Sequence, residues 1–397
     1  MLSSLLVLEN PIQNYAWGSR TAIAELLGRP LPSSRPEAEL WIGAHPKAPS
    51  RVIDPPGLGS LDRVIEDQPQ AVLGAETCSR FGNELPFLLK VLAAAEPLSI
   101  QAHPSQEQAR RGWARENAEG IPLDAPRRNY RDPNHKPELV CALSAFTALL
   151  GFRDTETIAR SLEPLARPEM GEEIDRAGRE GAPALRALFA RLLTLEAEES
   201  RPVLARAARA VPLHADPAWS WVGRLLARYP GDVGALAPLY LNLVTLEPGD
   251  ALFLPAGELH AYLEGTALEI MANSDNVLRG GLTAKHVDVP ELLATLSFQP
   301  KPPSLLRPVG ASPGECRFLT PAREFELSLL EVLPQRPFAP TPGHGVEILL
   351  GLSGTATIRG GGRKLPVGRG RTVLVPAALP AYTLEGEGRL ARARVPG

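Results

Sequence analysis

The chain has 397 residues, 44% of them hydrophobic, with 42 Lys and Arg against 45 Asp and Glu for a formal net charge of -3. At roughly 100 to 200 residues per domain this supports two or three packed domains, and the balanced charge excludes the basic excess of a nucleic-acid footprint. Cys78, Cys141 and Cys316 stand at none of the short paired spacings of a disulfide frame or thiolate zinc site, so a reducing compartment, the cytoplasm, is expected.

No run reaches the roughly 18 apolar residues of a membrane span. The expected partners are small molecules, with no nucleic acid and no membrane, and a monomer is the default. Leu5-Leu6-Val7-Leu8, with neither a basic stretch before it nor a small-residue cleavage site after it, reads as a first strand. Forty-one prolines and 35 glycines suit short strands joined by turns. Residues 1–152 and 232–300 share this character.

Between them, residues 153–231 turn rich in Ala, Leu, Arg and Glu. Pro183 fits the first turn of a helix whose apolar side collects Leu185, Leu188, Phe189, Leu192 and Leu193, and Val222, Leu225 and Leu226 follow Pro217 in a second stripe. Both stripes read as core, in a helical insertion packed on a β framework. Alternation from Leu239 to Thr245, the turn Glu247-Pro248-Gly249-Asp250 and the run Ala251 to Leu254 read as a hairpin. Residues 301–397 open with a Pro-rich stretch and return to strands at Val346–Leu350, Gly354–Ile358 and Thr372–Val375.

Four of the seven histidines, His45, His214, His286 and His344, have no suggestive neighbours. The other three do. On a strand, Gln101 and His103 of Leu98-Ser99-Ile100-Gln101-Ala102-His103-Pro104 share a face. Alone, Gln-x-His is a weak metal signal. In Asn134-His135-Lys136-Pro137-Glu138 an extended backbone, favoured before proline, puts Lys136 and Glu138 on one face and His135 on the other, and alone this reads as a solvated ion pair. The spacing from Gly249 through Pro255 and Gly257 to His260 resembles the second motif of the cupin superfamily, in which a small β-barrel presents a histidine. Glu264 stands where that motif has Asn, and Gln101-Ala102-His103 stands in place of the first motif's His-x-His.

Tyr130-Arg131-Asp132-Pro133-Asn134-His135-Lys136-Pro137-Glu138 resembles the Y-x-D-x-N-H-K-P-E signature of type I mannose-6-phosphate isomerases. His260-Ala261-Tyr262 through Glu269, Met271-Ala272, Ser274-Asp275-Asn276, Arg279 and Lys285 resembles their second signature. Further matches are Asn14-Tyr15-Ala16-Trp17-Gly18, Glu39-Leu40-Trp41 with Gly43, and Leu98 to Pro104. Gly280 departs from the usual Ala, and Ala284 from the usual Pro, which bears on the placement of Lys285.

The resemblance implies a mainly β protein with two cupin-like β-barrel or jelly-roll units, the second degenerate because Pro380 stands near the position matching His260, plus the helical domain. It implies one zinc per chain held by Gln101, His103, Glu138 and His260. This donor set is chemically consistent with Zn²⁺, though ligand type alone would also admit ferrous iron. The implied reaction interconverts mannose 6-phosphate and fructose 6-phosphate by proton transfer between C1 and C2. Lys90 and Ser99 would hold the phosphate, Arg279 and Lys285 would line the pocket, and Glu269 or Lys136 would handle protons. A non-catalytic sugar-phosphate-binding cupin and an iron-dependent cupin oxygenase are the alternatives.

Overall fold

The segment Phe87–Ala94 is apolar except for Lys90, and all eight residues are buried, as befits a strand covered on both faces. In the computed structural model, which describes residues 3–340 and 343–397, this strand lies antiparallel between Glu39–Ile42 and the 13-residue strand His260–Ala272. They belong to one of two ten-stranded sheets.

The long strand changes partners along its length. Its first part pairs with Ile100–Ala102 and Phe146–Phe152, its second with Phe87–Ala94 and Glu138–Ala142. The handover falls at Gly265, whose φ is 121° and where a Cβ would lie 2.5 Å from the Ala145 carbonyl oxygen. Only glycine tolerates both conditions. His260 and Glu269 lie on either side of this handover.

The other sheet runs from Val309–Ser312 through Tyr382–Arg394 and Glu347–Gly360 to Thr372–Val375, then continues into Leu6–Glu9, Arg51–Asp54 and Gly59–Ser60. The N-terminal strand thus completes a sheet built mostly from C-terminal residues. Leu40, Phe87, Leu89, Leu139 and Leu268 of the first sheet share a buried cluster with Leu327, Ile348, Leu374 and Ala391 of the second. At about 25 cal/mol per Å² of apolar surface removed from water, such burial holds the two sheets together.

Helices Thr155–Glu180, Ala182–Leu193, Ala197–Ala210 and Pro217–Arg228 follow where the Ala- and Leu-rich composition placed them. Leu185, Leu188, Phe189 and Leu192 are buried with Val222 and Leu225 against Ile100, Leu149, Ala261 and Leu263 of the sheet. The fold is therefore β-rich with a substantial helical part, as expected. Three finer expectations change. Among the described residues both sheets are open paths rather than closed barrels. Leu241–Leu246 and Ala251–Leu254 form no hairpin: they pair with Phe146–Phe152 and Glu138–Ala142 respectively, because alternation reports which face a strand buries and not its neighbour. The expected strands Val346–Leu350 and Gly354–Ile358 are parts of one strand, Glu347–Gly360, with an irregularity between Gly351 and Ser353.

Gly112, within helix Gln106–Ala118, lies under the ring of Tyr130, which occupies the space a Cβ would need. Tyr130 is buried and donates its hydroxyl proton to Glu291 at 2.6 Å. Gly112→Ala should therefore cost about 1 to 3 kcal/mol by overpacking despite the better helix propensity of Ala. A lowered urea midpoint is expected; an unchanged or raised one would show that the Tyr130 ring has room to move.

Candidate metal centre and active site

Three buried side chains that the sequence spreads over 158 positions meet at one point: His103, Glu138 and His260, each 1% exposed. Glu138 opens strand Glu138–Ala142, His260 opens the long strand, and His103 follows Ile100–Ala102. One potential ligand atom from each lies within 4.8 Å of the others. Their Nδ1 atoms are already engaged, that of His103 with the Asn276 carbonyl at 2.8 Å and that of His260 with the Glu258 carbonyl at 2.9 Å. A carbonyl only accepts, so each Nδ1 carries the proton and each Nε2 presents its lone pair. Both Nε2 atoms are buried without a hydrogen-bond partner, lying 3.3 and 3.5 Å from the two oxygens of Glu138. Two orphaned imidazole nitrogens facing a carboxylate, each ring oriented by a backbone carbonyl, form the donor arrangement of a metal centre. Gln101, the fourth expected ligand, is registered opposite His260 on the adjoining strand and lines the adjoining cavity.

Electrostatics favour the ligand protonation states. Burial, reinforced by the Lys136 charge, depresses the His103 pKa to about 4. Burial opposes ionisation of Glu138, but Lys136, 3.0 Å from its Oε1, outweighs it and holds the carboxyl well below its ordinary range. Tyr262 directs its hydroxyl at Glu138 Oε2 at 3.5 Å. Burial followed by the charges of Glu269 and Glu138 raises its pKa, keeping it protonated.

The cluster opens onto a cavity of about 470 Å³ lined by Gln101, Glu138, Lys136, Lys90, Glu269, Ser99, Arg279 and Lys285, together with Tyr15, Trp17, Glu39 and Trp41. Every candidate residue read from the motifs is thus in the metal cluster or on this wall. Lys136 and Glu138 share it, while His135 faces a separate cavity of about 670 Å³ and pairs with Glu324 at 2.8 Å, as alternation along an extended segment requires. The segment is tied down by Asn276, whose side chain accepts from the Arg131 N–H and donates to the carbonyls of Asp132 and Asn134.

The cations on the wall differ in their commitments. Lys90 is buried and ion-paired with Glu269 at 2.9 Å and Glu39 at 3.5 Å. Burial works against its charge, but the two carboxylates outweigh it and raise its pKa. The Glu269 carboxyl is also raised, first by burial and despite Lys90, with Glu138 and Glu39 adding to the effect. Arg279 and Lys285 have no carboxylate partner among the described residues. Burial lowers the pKa of both, and neighbouring Arg131 adds to the effect on Arg279, as Arg279 and Arg131 do on Lys285. Mutually repelling cations on a cavity wall, Arg279 partly buried and Lys285 exposed, form a prepared anion site.

The Gly280 departure does not disturb this site. A Cβ there would meet Leu292 at 3.2 Å and Ile100 at 3.5 Å, so an alanine would fit with a small adjustment. Glu39, Trp41 and Tyr262 stand within the motifs, but their contacts to Lys90 and Glu138 depend on strand neighbours that no local pattern announces.

In the metal-free protein, a His103 pKa near 4 against an ordinary 6.5 means that the unfolded chain binds the proton more readily. The stabilisation is present above pH 6.5 and is lost as pH falls through about 4. Thermal melts of chelator-treated protein should show a falling midpoint across that window, with a shallower fall in His103→Gln. Equal slopes in the two proteins would remove His103 as the source.

Comparison with known proteins agrees with this geometry. A family model described as the phosphomannose isomerase type I catalytic domain matches residues 5–155. Mannose-6-phosphate isomerase of Escherichia coli (strain K12) is 44% identical over 389 residues, covering 97% of this chain and 98% of that protein. The Bos taurus protein of that name is 36% identical over 347 residues, covering 81% and 77%. Among solved structures, a zinc-bound mannose 6-phosphate isomerase aligns with a TM-score of 0.92 at 44% identity, covering 99% of each chain. A variant of the Salmonella typhimurium phosphomannose isomerase aligns at 0.93 and 43%, also covering 99% of each. With its motifs gathered in one buried site and near full-length relatives at this identity, the chain belongs to the type I phosphomannose isomerase family.

Proposed function

We propose that the chain is a zinc-dependent aldose-ketose isomerase that interconverts mannose 6-phosphate and fructose 6-phosphate. The observation that carries this reading is a three-residue metal cluster and two cations, without carboxylate partners among the described residues, gathered on one sugar-sized cavity. His103, Glu138 and His260 would hold the zinc with Gln101 as fourth ligand. When bound, zinc supplies a Lewis acid that polarises the substrate's carbonyl and hydroxyl oxygens.

The remaining chemistry falls to the chain. A base takes the proton from C2 of the open-chain aldose; the C–H electrons form the C1–C2 double bond and O1 takes on the charge. The base then returns its proton to C1 while the O2 proton passes to O1, so that C2 becomes the carbonyl and the ketose is left with a neutral O1 hydroxyl. Glu269 and Lys136 border the cavity for these transfers. A carboxylate is the more natural base, and Lys136, paired with Glu138, is placed to donate hydrogen bonds to the developing oxyanion. Lys90 shares its charge between Glu269 and Glu39, so the geometry favours Arg279 and Lys285 over Lys90 for the phosphate, with Ser99 as a hydroxyl donor on the same wall. Remote phosphate binding orients the reacting carbons. The cationic wall favours this reading over an oxygenase acting on an apolar substrate, and the candidate base beside the cluster favours it over a sugar-phosphate sensor without turnover.

By the same reasoning we divide the chain into a catalytic unit of residues 1–152 and 232–300, a helical unit of residues 153–231 and a C-terminal β unit of residues 301–397, with the strands near residues 6–9 and 51–60 added to the last unit's sheet. The two β units are open relatives of the cupin architecture, and among the described residues the metal cluster lies in the first.

Purified protein should convert mannose 6-phosphate to fructose 6-phosphate, lose this activity to a chelator and regain it with zinc. Zinc binding without turnover would favour the sensor. Lys285→Met should raise KM for mannose 6-phosphate about tenfold or more with a smaller change in kcat, and an unchanged KM would remove Lys285 from phosphate binding.

A further inference from the structure

Glu39 has no place in the steps above, yet it is a buried charge with a partner at each oxygen. It is 7% exposed, beside Lys90 at 6% and Glu269 at 3%. The three stand on adjacent antiparallel strands, with Lys90 on the middle one registered opposite both Trp41 and Glu269. Lys90 Nζ lies 2.9 Å from Glu269 Oε2 and 3.5 Å from Glu39 Oε1. The other Glu39 oxygen accepts the Trp41 indole N–H at 2.7 Å, and the same indole ring lies 5.5 Å from Lys90 Nζ. Glu39 is therefore clamped at one oxygen and presents the other to Lys90.

A buried carboxylate is costly and persists where its charge is compensated. Here one ammonium serves two carboxylates. A lysine facing Glu269 alone would be free to bridge both of its oxygens and cover the groups needed for proton transfer. Drawn toward Glu39, Lys90 makes its hydrogen bond to a single Glu269 oxygen, and the carboxyl, which the Tyr262 hydroxyl also approaches, lines the cavity together with Lys90. The other charged and titratable groups that act on the triad are Lys136 and Glu138 on the neighbouring segment, Tyr262 on the Glu269 strand and Tyr15.

We propose that Glu39 is a positioning residue for the isomerase reaction: held by Trp41, it draws Lys90 aside so that Glu269 keeps an oxygen free toward the substrate. Glu39 does not itself transfer a proton. This inference rests on the isomerase reading and adds a residue to it.

The test uses zinc-loaded full-length protein carrying Glu39→Gln, which preserves shape and an acceptor for Trp41 but removes the charge. Expected are a fall in kcat of about tenfold or more, within what a displaced proton-transfer group costs, a KM for mannose 6-phosphate within about twofold of the parent, one zinc per chain and an unchanged thermal midpoint. A purely structural role would move the midpoint or the zinc content instead. The second arm is a double-mutant cycle. Because Glu39 acts through Lys90, Glu39→Gln should change kcat less than about twofold when added to Lys90→Met. An unchanged kcat, a raised KM at constant kcat, or an equal loss in both backgrounds would overturn the proposal. Should the parent protein fail to isomerise mannose 6-phosphate, the functional reading fails first; a parent that turns over beside an indifferent Glu39→Gln sinks only this inference.

Discussion

The negative charge of Glu138, buried to 1% exposure among strands, is the constraint around which the site is organised. Isolated in a low-dielectric interior, a carboxylate would neutralise itself by taking up a proton. Lys136 at 3.0 Å and the Tyr262 hydroxyl favour the ionised form, while the lone pairs of two imidazole Nε2 atoms face the carboxylate. The unpartnered nitrogens mark the unfinished part of that compensation. A divalent ion between them joins the charge balance of the core to the chemistry of the site.

The C-terminal sheet solves a similar problem without a metal. Glu347, fully buried, receives the Tyr382 hydroxyl proton at 2.6 Å and an Arg392 guanidinium N–H at 2.9 Å, while the same guanidinium reaches Glu315 at 2.8 Å. Tyrosine on carboxylate repeats the Tyr262 and Glu138 arrangement, and a side-chain cation supplies the positive charge. A guanidinium with fixed directional donors satisfies the carboxylates but offers no open coordination position. The first sheet, with lone pairs in place of N–H groups, can accept a Lewis acid; the second is closed on itself.

Across the cavity, charge separates into two kinds. Next to the metal cluster, Lys90 and Lys136 are held by carboxylates, Lys90 through its register opposite Glu269 and Lys136 two residues before its partner Glu138. Arg279, in register with Gln101, and Lys285 repel one another and Arg131, and among the described residues no carboxylate pairs with either of them. The first group has its charge committed before substrate arrives. The second retains unspent attraction for a dianion, which is what a binding site for a remote phosphate requires.

The amino-acid sequence by itself determined which residues take part and how each faces locally. Proline and alternation put Lys136 with Glu138 and turned His135 away, the Leu185 to Leu192 stripe declared a helix face, and the motif order announced the family, because these signals reside within a few neighbouring positions. Tertiary structure alone decided who meets whom. That Leu6–Glu9 completes a C-terminal sheet, that the strands flanking Glu247–Asp250 part company, and that Lys90 stands between Glu39 and Glu269 are long-range pairings. They arise from burying apolar strand faces together, and a local pattern carries no record of which distant strand will share that burial.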